Sequence, residues 1–330
     1  MPMKNILALA ALLSTALLAG CGKKHDENTL RFGLFPNITH AQGVIAYQMS
    51  LEGRGWYEKR LGVDIQWFPF NAGPTAMNSI FSDALDVTYV GPNPAINAYI
   101  KSNGSDIRIV AGAADGGSGM VVNPKLGIEK PADFKGKKIA TPQYANTQDV
   151  ACRAWVLENG MTVNAGGGGD VDVVPTANPE QLALFSRGDI DACWTVEPWI
   201  SRLEQAGGAK MFKFEPDAVT TILVSSAKTV RDRPELVKKL YDAHVELTKW
   251  INDNPDEARA LVLKGIESLT RNKLDPAIAD SSWKRINFTP KVNRDGIEKF
   301  VDQSIKIGFI KERMDMDGLF PDVEKLGGRK

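Results

Sequence analysis

From residue 30 the chain alternates short apolar runs with amphipathic stretches, and polar turns rich in Gly, Pro, Asn and Thr separate them. Residues 30–35 read as a strand, and Pro36, Asn37 and Ile38 turn the chain after it. Thr39 and Gln42 have capping-box spacing, which predicts a helix running from Thr39 through Val44, Ile45 and Met49. Residues 64–68 form the next strand. Met77, Ile80, Phe81, Ala84 and Leu85 then recur at i, i+3, i+4, i+7 and i+8, the stripe of an amphipathic helix. Either Gly73 caps that helix with Pro74 at its first position, or Thr75 caps it. Residues 86–90 are a short strand, Gly91 and Pro92 turn the chain, and Asn93 fits an N-cap before Pro94. Residues 107–111 make a further strand, and 113–119 a small-residue loop where the chain first crosses between lobes.

A second series with the same plan begins at residues 137–141. Asn146 and Asp149 can cap a helix that Gly160 stops, and a strand follows at 171–174. Asn178-Pro179 opens a helix that Gly188 ends, residues 189–195 are a strand, and Glu197-Pro198 opens another helix. Residues 221–225 read as a return strand. Beyond Arg231 the pattern is helical, over 234–251, from Asn254-Pro255 through Leu263, and over 295–307. The tail at 314–330 is polar with few anchors, and its Asp315 and Asp317 lack the rest of a calcium-loop spacing. Alternating strands and helices predict an α/β fold of two lobes. Each lobe is a mainly parallel sheet flanked by helices, with two crossover segments joining them and a helical C-terminal region. The expected division is 29–115 with 220–330 for the first lobe and 116–219 for the second.

The first residues follow another pattern. Lys4 precedes an apolar run over 6–19 that is shorter than the roughly 20 residues of a spanning helix. Residues 1–20 therefore read as a secretory signal. Leu18-Ala19-Gly20-Cys21 looks like a bacterial lipobox, which would leave Cys21 as a lipid-modified first residue and 21–28 as a tether. Lys and Arg total 40 and Asp and Glu total 40, so no global field draws the chain to nucleic acid. At 330 residues two domains are the better expectation than one. Cys152 and Cys193 remain after export; their spacing leaves a disulfide and two buried thiols both open.

Candidate chemistry gathers in the loops after the predicted strands, the edge where open α/β sheets bind ligands. These loops are 35–40, 73–75 and 91–93 in the first lobe, and 141–147 and 197–199 in the second. Helix starts there offer backbone N–H groups to an anion or a strongly polar small molecule. His40 is either a ligand contact or a half-exposed first-turn residue. Trp194 fits the core and Trp199 a cleft wall, while Tyr89 alternates with core positions. Glu197 either meets a ligand ammonium or complements a helix dipole. Arg153 either reaches an anion or forms a surface ion pair. HExxH, GxSxG, GxxxxGK and a post-strand GxGxxG are all missing, and His25, His40 and His244 are the only histidines. Neither a cofactor nor a metal is expected, and binding is favoured over catalysis.

Taken together, the lipobox at Cys21 and the segments FPNITHA, NAGPTAMNSI, DVTYVGPNPAI, KGKKIATP and DACWTVEPW resemble the nitrate/sulfonate/taurine family of substrate-binding proteins for ABC importers. The resemblance spans nearly the whole mature chain, and VGPNPA and EPW carry it most specifically. It implies the type II periplasmic binding protein fold, with ligand held between the lobes. By carry-over Asn37, His40, Thr75, Pro92, Asn93, Ser118, Thr141, Asn146, Thr147 and Glu197 border the ligand, and Trp199 joins them as a cleft residue. The Pro36-Asn37 turn and His40 depart from a strict nitrate or taurine pattern.

The expected function is capture of a small anionic or zwitterionic solute, sulfonate-like or taurine-like, for an ABC transporter permease. The protein is expected to be exported, monomeric and anchored to the membrane of the cell envelope by lipid on Cys21. A cofactor-biosynthesis enzyme on the same fold, or a ligand sensor for a membrane kinase, are the rival readings.

Overall fold

The computed structural model describes residue 26 and residues 28–327. The expected signal segment, Cys21 and most of the tether lie outside the described residues. The first sheet contains, in spatial order, β11 (Ile286–Phe288), β4 (Ile107–Gly116), β10 (Val219–Ser226), β3 (Val87–Val90), β1 (Thr29–Leu34) and β2 (Asp64–Pro69). The second contains β7 (Asp172–Pro175), β6 (Lys138–Thr141), β8 (Ala192–Val196), β5 (Ser118–Val122) and β9 (Lys210–Glu215).

Parallel pairing holds at the βαβ heart of each sheet. β1 lies between β2 and β3 and runs parallel to both, and β6 does the same between β7 and β8. The remaining strands pair antiparallel, β10 with β3 and β4, β11 with β4, and β5 with β8 and β9. The sheets are thus mixed rather than mainly parallel: strands that enter or leave a lobe do so without a crossover helix, and so reverse direction. The chain changes sheet between β4 and β5, and again between β9 and β10. Residues 113–119 were expected as a loop, yet they are strand on both sides of Gly116-Gly117. Those glycines have φ of +74° and +65°. A Cβ on Gly116 would meet the Arg285 carbonyl, and one on Gly117 the Ile286 side chain. Small residues here serve tight backbone packing.

Alternation along β1 sends Leu30, Phe32 and Leu34 into a core with α1 (Ala41–Leu51), α9 (Pro234–Asp253) and α10 (Pro255–Thr270). α3 (Gly73–Phe81), α4 (Pro92–Lys101) and α12 (Arg294–Lys306) build a second core through Met77, Ile80, Ile96, Ile297 and Val301. That core runs on into the second lobe through Met120, Trp194 and Trp155 of α5 (Thr147–Glu158). α12 packs on both α4 and α5, so it straps the lobes together. Ile200 and Leu203 of α7 (Trp199–Gly207) and Phe185 of α6 (Asn178–Arg187) close the far face of the second sheet.

Several expectations change. α3 stops at Phe81, because Ser82 caps it and Asp83 turns the chain with φ of +54°. Phe81 is therefore exposed, and Leu85 reaches the core from a turn. The tail is anchored by Met316, Leu319 and Val323, all buried. α2 (Trp56–Leu61), β9, α8 (Ala227–Asp232), α11 (Pro276–Trp283) and β11 were not foreseen; each is short, and tertiary pairing rather than periodicity defines it. Cys152 and Cys193 are both buried and free, and burial pushes both thiols up. Tyr89 is structural as expected: its hydroxyl lies 2.6 Å from that of Tyr57 and 2.8 Å from His244 Nδ1.

Candidate functional site

Where the lobes meet, a chamber of about 410 Å³ is walled by residues from both. Phe35, Asn37, Thr39 and His40 follow β1, Asn71 to Gly73 follow β2, and Gly91 and Pro94 follow β3. The second lobe adds Pro142, Asn146, Thr147, Gln148, Asn178 and Val196, and Thr220 comes from β10. Among these described residues none carries Asp, Glu, Lys or Arg character. The polar part of the wall is hydroxyls, amides, one imidazole and backbone, beside the apolar Phe35, Pro94, Pro142 and Val196.

Its electrostatics come from helix ends. α3 and α4 begin at the chamber, and no side chain caps either one. α3 therefore leaves first-turn N–H groups for another partner, whereas in α4 Pro92 and Pro94 have no N–H and Asn93 N points at Thr147 Oγ1. Pro74 and Pro92 occupy first-turn positions at no hydrogen-bond cost. α5 faces them from the other lobe. Asn146 caps it, with Oδ1 accepting from Asp149 N at 2.9 Å. α6 starts at Asn178 on the same wall. The positive ends of these helices point at one small space, which suits an anion.

Two side chains on the wall are conspicuous for what they lack. Thr39 and His40 are buried, yet Thr39 Oγ1 and His40 Nδ1 have no hydrogen-bond partner. The expected capping box does not form. The Gln42 amide instead donates to Ala113 O at 2.8 Å and to Thr248 Oγ1 at 3.3 Å, which leaves Thr39 free. An orphaned buried polar atom costs about 1–3 kcal/mol, and two stand side by side on this wall. Burial pushes the His40 pKa down to about 3, so the ring is neutral, and it packs 4.6 Å from the Phe35 ring.

The two lobes meet beside the chamber at Gly91 and Thr147. Asn93 N points at Thr147 Oγ1 across 3.4 Å. A Cβ on Gly91 would fall well inside contact distance of Thr147 Oγ1. Asn93 was expected as a cap. It is instead the second residue of α4, whose cap is Gly91, and its side chain donates to Ser304 Oγ on α12 at 3.0 Å.

Of the residues singled out from sequence, Asn37, His40, Asn146 and Thr147 line this chamber. Trp199 lies just outside it and donates through Nε1 to Asn37 Oδ1 at 3.0 Å, from one lobe to the other. Thr75 is exposed on α3, past the helix start. Pro92 and Ser118 are buried beside the chamber without lining it. Thr141 donates to Asp149 Oδ1 at 2.9 Å and so supports the cap of α5 from behind. Arg153 is neither on the surface nor aimed at the chamber. It pairs with Asp149 at 3.0 Å, both buried, and donates to Asn164 O and Val173 O. Glu197 is fully committed elsewhere. It accepts from Ser201 N and Oγ, from Ser282 Oγ at 2.9 Å and from Arg285 at 2.8 Å, so no oxygen is left for a ligand ammonium. Asn71, Gln148, Asn178 and Thr220 line the chamber without having been singled out. Asn178 repeats the Asn-Pro helix entry, a usable signal; Thr220 sits on a return strand and gives none.

A second cavity, about 890 Å³, opens beyond Asn37, Asn71 and Asn178, which the two spaces share. Its wall is largely apolar.

A fold of two lobes around a polar, uncharged chamber defines a cleft-binding class of protein. Residues 23–266 match the model of the NMT1-like family, and the chain belongs to that family. It is similar to the "Putative aliphatic sulfonates-binding protein" of Bacillus subtilis (strain 168), 26% identical over 276 residues that cover 78% of this chain and 77% of that protein. The taurine-binding periplasmic protein of Escherichia coli (strain K12) is 27% identical over 194 residues, covering 55% of this chain and 57% of that one. Among solved structures, the alkanesulfonate-binding protein SsuA from Xanthomonas axonopodis pv. citri bound to MOPS superposes with a TM-score of 0.71. It is 18% identical, with 90% of this chain and 99% of that chain covered, a likeness that establishes the fold.

Proposed function

We propose that the protein is an extracytoplasmic solute-binding component of an ABC importer, and that the chamber takes the anionic head of a small sulfonate-like solute. The observation that carries this is the pairing of the uncapped start of α3 with orphaned Thr39 Oγ1 and His40 Nδ1 in a space without charged side chains. A sulfonate spreads one charge over three oxygens, and neutral donors from several directions match it. The sulfonate-binding and taurine-binding relatives support the same class. Catalysis is disfavoured because His40 is neutral with an unpartnered ring nitrogen, and burial holds both thiols protonated.

In this reading the lobes are 29–115 with 220–330, and 116–219, and they hinge at Gly116-Gly117 and at 216–218. The chain is exported as a monomer, is tethered by lipid on Cys21 and delivers its solute to a membrane permease. The other sequence-derived contacts, Thr75, Pro92, Asn93, Ser118, Thr141 and Glu197, act around the chamber wall rather than on the solute.

A thermal-shift screen over alkanesulfonates, taurine, nitrate and phosphonates tests the proposal. At ligand near 100 times Kd, stabilisation of about 2.7 kcal/mol is expected. No shift with any of these anions overturns it.

A further inference from the structure

The outer cavity is built differently from the chamber behind it. Pro36, Pro179, Leu182, Pro198, Trp199 and Ile266 give it an apolar wall. It adjoins the chamber, and Asn37, Asn71 and Asn178 line both. One cation stands in it. The Arg202 guanidinium lies 4.6 Å over the Trp199 ring, and among the described residues no carboxylate is within ion-pair distance of it. Three other partly or fully buried arginines do have such partners, while Arg108 meets only the carbonyls of Gly104 and Ile107. Arg31 pairs with Asp86 at 2.7 Å, Arg153 with Asp149 at 3.0 Å and Arg285 with Glu197 at 2.8 Å. Arg202 is half-buried against the indole face, and burial pushes its pKa down. A cation–π contact offsets only part of such desolvation.

We propose that the outer cavity is a second subsite for the same solute, and that it selects an organic anion whose apolar or aromatic arm ends in a carboxylate. The arm lies along Trp199 and Leu182, and the carboxylate pairs with Arg202 in the two-toothed geometry that guanidinium and carboxylate share. The oxyanion head stays in the inner chamber, so this inference rests on the reading of that chamber as an anion site. The outer cavity is the larger of the two, which is room for an arm larger than the head.

Calorimetric titration of the protein and its Arg202→Gln variant with methanesulfonate, benzenesulfonate and 4-sulfobenzoate tests it. In the unaltered protein 4-sulfobenzoate binds at least tenfold tighter than benzenesulfonate, and Arg202→Gln removes that tenfold advantage. Equal affinity for the two aryl ligands, or an equal loss for all three ligands in the variant, overturns the subsite. Binding of methanesulfonate alone overturns the subsite and leaves the anion chamber standing. Binding of none of the three overturns the chamber reading, and the subsite with it.

Discussion

Two histidines illustrate how burial fixes a charge state. His244 Nε2 lies 2.7 Å from the Gly112 carbonyl, a group that only accepts. Nε2 therefore carries the proton, Nδ1 accepts from the Tyr89 hydroxyl, and Tyr89 accepts from Tyr57. Burial lowers the His244 pKa to about 4 and that of His40 to about 3. In the unfolded chain both take a proton below about pH 6.5. The unfolded state thus holds more protons across that window, so stability rises with pH there and is lost as pH falls from 6.5 toward 4. Unfolding free energies from urea titrations at pH 7.5 to 5 should fall below pH 6.5, by about 2 kcal/mol for each histidine at the acid end, and less steeply in His244→Gln. A flat profile contradicts this. Arg153 makes the second residue-scale case. Arg153→Met strands the buried Asp149 carboxylate, and should cost about 3–5 kcal/mol in denaturant unfolding. A loss below about 1 kcal/mol would mean that the pair is solvated.

At the scale of elements, helix starts are what the sequence states best. Asn146 caps α5 as its spacing predicts, and Gly188 ends α6 in the left-handed conformation. The Pro-rich entries of α3 and α4 are also visible, but the register of their caps slips by one or two residues. In both, the Pro fixes the backbone while the cap falls to a residue with no side-chain bond, Ala72 or Gly91. That slip decides who reaches the chamber. Thr75 and Asn93 sit one helical step too far along, whereas Gly73 and Gly91 face it. Side-chain commitments are harder to foresee. Nothing local in the sequence says that Glu197 meets Arg285, 88 residues away, or that Asn93 meets Ser304. Gly91 offers a test at this scale. Its φ of −69° suits any residue, so Gly91→Ala brings no backbone strain and its cost lies in the contact across the cleft. The added Cβ strikes Thr147 across the cleft, and sulfonate affinity should fall at least tenfold. Unchanged affinity would show that the lobes do not close at this point when solute binds.

The whole molecule is two mixed sheets held by two crossovers and by the α12 strap. The two-lobed plan was legible because strand–helix alternation repeats twice along the chain. The antiparallel crossover strands were not, since Gly-rich strand and Gly-rich loop read alike until pairing is known. Contacts between lobes divide into two kinds. Arg285 with Glu197 and Glu204 lies beside Gly117, whose N–H donates to Arg285 O at 2.7 Å, and so stays close to the pivot. Asn37 with Trp199 lies at the cavity mouth and breaks when the lobes part. Small-angle scattering should therefore show a smaller radius of gyration with saturating solute than without, together with a change in tryptophan fluorescence. Identical scattering curves would argue for a cleft that does not move.

The central claim is that an uncharged, helix-ended chamber recognises an anionic head. Calorimetric titration with ethanesulfonate, and with diethyl sulfone as its uncharged counterpart, tests this most directly. The account predicts micromolar or tighter binding of ethanesulfonate, about −8 kcal/mol, and binding of the sulfone at least a hundredfold weaker. Equal affinity for the two would contradict it.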